Sequence, residues 1–64
     1  MNLHIADMHC AGCVRSVTKT VHKIDPDARL EADLDTRRVT IDTDAPQGAL
    51  LTALADTGYP ATPV

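Results

Sequence analysis

Two cysteines, Cys10 and Cys13, are the only ones in the 64 residues, and two residues separate them. A pair at this spacing suits three chemistries: a metal site, a dithiol that shuttles electrons, or inert thiols filling a small core. Stapling the fold is not among them, because a disulfide here closes a tiny loop and removes little chain entropy. Thiolates are soft donors and select soft ions such as Cu(I). Cu(I) accepts two or three ligands, whereas a structural zinc site wants four. Beyond the cysteines the chain offers only His4, His9, His22 and its carboxylates, so the ligand count favours Cu(I) over zinc. Met8 reads as a flexible gap-filler beneath the loop in preference to a thioether ligand. His9 reads as a solvated side chain, with a third-ligand role, from its own chain or a second molecule, as the alternative. His4 and His22 fall on polar faces.

The elements around the pair must aim the sulfurs. Leu3 and Ile5 alternate with Asn2 and His4, which predicts a short strand running into the cysteine loop. From Val14 the apolar positions Val17, Val21 and Ile24 recur at helical steps, and Pro26 ends the pattern just past Asp25. Cys13 then lies in the first turn of a helix, where unpaired N–H groups and the positive dipole end favour a thiolate. Gly12 is expected to let the backbone bend so that both sulfurs point to one spot. Ala28, Leu30, Ala32 and Leu34 alternate with charged residues, a turn falls at 35–37, and Val39 and Ile41 follow, which reads as a hairpin. Pro46 suits the first turn of a second helix with Leu50, Leu51, Leu54 and Ala55 on its apolar face. Gly58 falls where a left-handed cap would close it. The tail carries Pro60 and Pro63, so a strand there must be an edge strand. Two one-sided helices over four antiparallel strands give an α+β, ferredoxin-like βαββαβ fold with both helices on one face.

The whole chain, residues 1–64, reads as a single domain. A chain this short buries only about 60% of its unfolded surface, and with one Tyr and no Trp or Phe its core rests on Val, Leu, Ile and Ala. No signal-peptide pattern opens the sequence, and no apolar run approaches the roughly 20 residues that span a bilayer. The expectation is a cytoplasmic protein, not membrane-embedded, with reduced thiols. Met1 directly before the first strand and the end at Val64 fit a free-standing protein. A net charge of −3 argues against nucleic acid, whose binding depends on cationic contacts to phosphate.

Met8-His9-Cys10-Ala11-Gly12-Cys13 after a short strand, with Gly58-Tyr59 after the second helix, resembles the heavy-metal-associated (HMA) domain family. Within it the chain is similar to small bacterial copper chaperones. The resemblance covers essentially the whole chain, and M-x-C-x-x-C in this context is more specific than a lone C-x-x-C. It implies a βαββαβ fold with Cu(I) held by Cys10 and Cys13. It also implies delivery to the N-terminal metal-binding domain of a copper-exporting P-type ATPase, in a carrier that is not an enzyme. Tyr59 stands where bacterial members place a Tyr facing the metal site and eukaryotic members a Lys; core filling is its other reading. Members that handle zinc or lead often carry an acid at the position of His9. Asp7 departs from the Gly usual before the motif Met, which predicts a stiffer loop or an added carboxylate near the metal.

Charge is uneven. Arg15, Lys19 and Lys23 recur at steps of four between Val14 and Ile24 with no acid among them, and the segment 25–36 carries five acids against Arg29. Such runs are commonly solvated faces; the functional alternative is a basic docking stripe that steers an acidic partner. The expectation is a Cu(I) metallochaperone that is a monomer when apo, with two molecules able to share copper through their loops. A carrier of another soft metal (Zn, Cd or Hg) is the alternative in the same fold, and a thiol-disulfide redox protein the alternative from another class.

Overall fold

The computed structural model describes all residues, Met1–Val64. Its elements run β1 (Asn2–His4), α1 (Ala11–Ile24), β2 (Arg29–Asp33), β3 (Arg38–Asp42), α2 (Gln47–Thr57) and β4 (Thr62–Pro63). The sheet order is β2-β3-β1-β4, and every pairing is antiparallel. This is the ferredoxin-like βαββαβ arrangement expected from the patterning.

Period-two alternation decides which face of the sheet is dry. Leu3 sits opposite Val39, while Leu30 pairs with Ile41 and Ala32 with Val39. Leu3, Val39 and Ile41 are buried, joined by Ile5, Val17, Val21, Leu50 and Leu54 in one core. The outward residues Asn2, Glu31, Asp33, Arg38, Thr40 and Asp42 are exposed. Thr40 donates to the Asn2 side chain across that wet face at 3.0 Å. Fully burying a Val, Leu or Ile contributes about 1.5–3 kcal/mol, so losing any one of these is a large fraction of what so small a core supplies.

The helices meet through Thr20 and Thr57, whose hydroxyl oxygens lie 3.2 Å apart. Thr20, buried in α1, donates to the Ser16 carbonyl at 2.9 Å. A hydroxyl can return its proton to the preceding turn, so this position reads as polar in the sequence yet packs inside. α2 ends as its sequence predicts. Gly58 takes φ 97, the Gly58 N–H donates to the Ala55 carbonyl at 3.1 Å, and the Tyr59 N–H reaches back to Leu54 at 2.8 Å. These are the paired bonds of a Schellman cap.

Three local expectations fail. Leu34 is 40% exposed, because β2 stops at Asp33 and the hairpin turn takes residues 34–37. Ala55 is exposed, since α2 turns Leu50 and Leu54 to the core with Leu51 and Ala53 half-buried beside them. Gly12 does not bend the chain: it lies inside α1, and Gly58 is the glycine with positive φ.

Candidate metal centre

The end of β1 delivers the chain into a loop held on both sides. Ile5 donates to the Arg37 carbonyl at 2.8 Å and Met8 donates to Ile5 at 3.1 Å. Met8 is fully buried in the core, so its side chain props the loop from beneath. Arg37 sits in the hairpin turn with φ 58, a conformation that costs a residue with a Cβ about 1–2 kcal/mol. From there its Nη1 donates to the Ala6 carbonyl at 2.8 Å. Arg37 is a residue that sequence reasoning missed, because nothing local marks a hairpin arginine as a neighbour of a loop 31 positions earlier.

Cys10 is the N-cap of α1, in extended backbone at φ −150 and ψ 166. Its carbonyl accepts from Val14 at 3.2 Å and its sulfur from the Cys13 N–H at 3.4 Å. A sulfur thus fills the role that a Ser or Asp oxygen commonly plays, and no acid occupies the first turn. Cys13 lies three residues on and is buried, while Cys10 is exposed. The two sulfurs are 2.9 Å apart. A Cβ added at Gly12 would meet the Cys10 sulfur at 3.8 Å, an ordinary contact, so this glycine leaves the approach to the sulfur open without being sterically required.

The Cys13 thiol is pulled down to about 6, chiefly by its hydrogen bond with Cys10, then by Tyr59 and by backbone N–H groups of the loop, against a smaller opposing effect of burial. Cys13 therefore favours the thiolate near neutral pH, and the two sulfurs share one hydrogen bond. Tyr59 arrives by the cap of α2 and lies half-buried against the core. Its phenol is held above its ordinary pKa by the Cys13 thiolate it faces, with Ser16 acting in the opposite direction. Tyr59 packs on the core, one of its two sequence readings, and its phenol lies beside Cys13.

His9, Cys10 and Cys13 form one group, their donor atoms all within 4.8 Å of one another. The Asp7 carboxylate is not part of it. Asp7 acts through its backbone carbonyl, which accepts from His9 Nδ1 at 2.8 Å. His4 is half-buried on β1, and His22 lies near the far end of α1, its Nε2 3.0 Å from the Ala28 carbonyl. Neither joins the group. Arg15, Lys19 and Lys23 are all exposed along α1. No helix is long and apolar enough to cross a membrane.

With metal–sulfur bonds of about 2.3 Å, sulfurs 2.9 Å apart subtend only about 80° at a shared ion, whereas tetrahedral geometry asks for about 3.8 Å between them. The pair must open to seat an ion. Exposed Cys10 is the side chain free to swing, and Cys13 is the anchored one.

Solved structures share this architecture. A gold-binding protein aligns with a TM-score of 0.91 at 36% identity, covering 95% of this chain and 94% of its own. The copper chaperone Atx1 from Synechocystis PCC6803 aligns with a TM-score of 0.93 at 32% identity, over 97% and 98% of the two chains. Oxidized MerP from Ralstonia metallidurans CH34 gives 0.78 at 28% identity, over 95% and 89%. Among curated proteins no sequence matches. The profile of the heavy-metal-associated domain matches residues 2–60, nearly the full length and including the whole cysteine loop; the chain belongs to the heavy-metal-associated domain family.

Proposed function

We propose that this protein is a cytoplasmic Cu(I) metallochaperone, a single domain over residues 1–64, that binds copper through Cys10 and Cys13. Its partner is the N-terminal metal-binding domain of a copper-exporting P-type ATPase. The observation that carries this reading is the asymmetric pair: an exposed sulfur 2.9 Å from a buried one, both at the N-terminus of a helix. The copper chaperone Atx1 aligned above supports it.

Transfer is ligand exchange with no change of oxidation state. Cys13, already a thiolate near neutral pH, supplies the first sulfur bond. Cys10 releases its proton to solvent as it forms the second. A partner thiolate then adds to the copper, giving a three-coordinate intermediate, and the exposed Cys10–copper bond breaks first. A second partner sulfur displaces Cys13, which Tyr59 has screened from water until that point. Both proteins offer the same donor type, so the equilibrium is nearly flat and downstream demand sets direction. Nothing in this cycle is a catalytic turnover. The apo protein is a monomer, and two molecules sharing one copper through their loops form the bridged dimer.

Cys10→Ser and Cys13→Ser should each abolish tight Cu(I) retention against a competing thiol buffer, followed by native mass spectrometry. Full retention in either variant removes the basis of the assignment. The gold-binding protein among the structural neighbours supports a second reading, a carrier for other soft ions in the same site; competition among Cu(I), Zn(II) and Hg(II) in the same experiment ranks them. A thiol-disulfide enzyme would instead reduce a model disulfide with turnover.

A further inference from the structure

The sheet ends in β2 on one side and β4 on the other, and the two edges differ. On β4 the Val64 N–H is turned inward, donating to the Asn2 carbonyl at 3.0 Å. By alternation Pro63 holds the outward position, with no N–H to offer another strand. β2 has no such block. On β3 the Ile41 N–H and the Arg37 carbonyl both bond to β1, so Arg38, Thr40 and Asp42 turn their backbone groups toward β2. They pair there with Asp33, Glu31 and Arg29. Leu30 and Ala32, lying between these, aim their N–H and C=O groups off the edge of the sheet. Ala28 shares that outward parity but is closed. Its N–H donates to the Asp25 carbonyl at 3.1 Å, and its carbonyl accepts from His22 Nε2 at 3.0 Å. Charges on an edge strand commonly keep other strands away; on β2 they are self-complementary.

We propose that the β2 edge is an interaction surface for a second copy of this chain, the two β2 strands pairing antiparallel about Glu31 so that both sheets join into one. Symmetric pairing can also be centred on Leu30 or on Ala32, and both fail. Centred on Leu30, Ala32 meets the occupied groups of Ala28. Centred on Ala32, Glu31 meets Asp33 on both sides of the axis. Centred on Glu31, Leu30 of each copy faces Ala32 of the other, and each pair exchanges both of its N–H···O bonds. Arg29 then lies opposite Asp33 of the second copy. Within one chain Arg29 is already opposite Asp42, and Asp33 opposite Arg38. The wet face therefore carries Asp42, Arg29, Asp33 and Arg38 in a row of alternating sign that crosses the seam, and symmetry repeats it. Leu34, 40% exposed, comes to the end of the seam beside Ala28 of the second copy. Glu31 against its own symmetry mate is the one like-charge pair. A seam of five residues a side, against the roughly 20–30 of a stable interface, holds weakly, so the dilute apo protein stays the monomer proposed above. Arg37 ties the cysteine loop to the β2–β3 turn, so antiparallel strands carry the two loops to opposite ends of the seam. Both loops stay open, unlike those of a dimer bridged by copper.

The test is a concentration series of metal-free, reduced protein reaching the millimolar range, followed by backbone amide NMR and sedimentation equilibrium. The Leu30 and Ala32 amides should shift with concentration while those of β4 and the cysteine loop hold still. Arg29→Glu sets acid against acid across the seam, and Asp33→Arg sets base against base. Each alone should weaken self-association about 10-fold or more. Mixed, the two variants face each other with opposite charges at both positions, and association should return, which mere damage to either fold would not allow. Asp33 also accepts from the Asp35 N–H in the turn, so Glu31→Gln serves as a second variant that spares that turn. It removes the central repulsion and should tighten association about 2–5-fold. Leu30 and Ala32 amides that do not move, or shifts confined to the cysteine loop, overturn the edge pairing. A folded pair of variants that fails to associate on mixing, or no tightening in Glu31→Gln, overturns the register about Glu31.

Discussion

Met8 is the residue of the loop whose role can be tested most sharply. Its side chain has no exposed surface and shares one core with Leu3, Ile5 and Cys13. Methionine truncated to alanine in a packed core costs about 2–5 kcal/mol. A chain of 64 residues has a total stability of about 3–10 kcal/mol at the usual 0.05–0.15 kcal/mol per residue. Taking the loss as about 3 kcal/mol, and each kcal/mol as about 4–8 °C for a domain of this size, Met8→Ala should lower the apo Tm by about 12–24 °C. Met8→Leu keeps the volume, costs under about 1.5 kcal/mol, and deletes the thioether sulfur. Thermal denaturation by circular dichroism gives the first quantity, and Cu(I) competition on both variants gives the second. The expected pattern is a large Tm loss for alanine, a small one for leucine, and native Cu(I) affinity in the leucine variant. Lost Cu(I) affinity in Met8→Leu with Tm intact would make Met8 a ligand and refute the packing argument. A Met8→Ala protein that melts within a few degrees of native would refute the burial on which it rests.

Gly58→Ala places a Cβ on a residue at φ 97 with nothing within 4 Å of it, so the cost is backbone strain alone. Urea denaturation should report about 1–2 kcal/mol, and no loss would mean that another cap closes α2. The thiolate absorbance of the apo protein should titrate with a midpoint of about 6 for Cys13, and Tyr59→Phe should raise that midpoint; an unmoved midpoint removes Tyr59 from the site. Because the folded-state value lies below the ordinary thiol value of 9.0, the thiolate's contribution to stability is complete above pH 9. It is lost as pH falls through about 6, so apo Tm should climb across that window. Lys19→Glu with Lys23→Glu should slow copper transfer to an acidic partner and flatten its salt dependence without changing metal affinity. An unchanged transfer rate would leave these lysines as a solvated face.

Sequence patterning carried far here where the physics is local. The alternation at Leu30 and Ala32 and at Val39 and Ile41 predicted the hairpin, since a strand's two faces repeat every second residue. The recurrence of Val17 and Val21 marked α1, and Gly58 marked the end of α2. Where the signal depended on what lies opposite, it failed. Leu34 continues the strand alternation, but the turn begins there and no partner residue covers it. Thr20 reads as polar, yet it packs inside because its proton returns to Ser16. Gly12 reads as a bend and is a helical residue.

The cysteine loop divides in the same way. Spacing alone determined that Cys10 and Cys13 share one side of a helix start, because an N-cap and the residue three positions on are neighbours in any helix. The soft character of the pair likewise follows from composition. Burial of Cys13, exposure of Cys10, the reach of Tyr59 and the grip of Arg37 on Ala6 come from contacts between residues far apart in the chain. Those contacts exist only once α2 and the β2–β3 hairpin dock beside the loop. Tertiary structure alone therefore decided which sulfur is anchored and which is free to move. Local geometry brings two thiols together, but a pKa and an accessibility are set by whatever the rest of the chain packs against them.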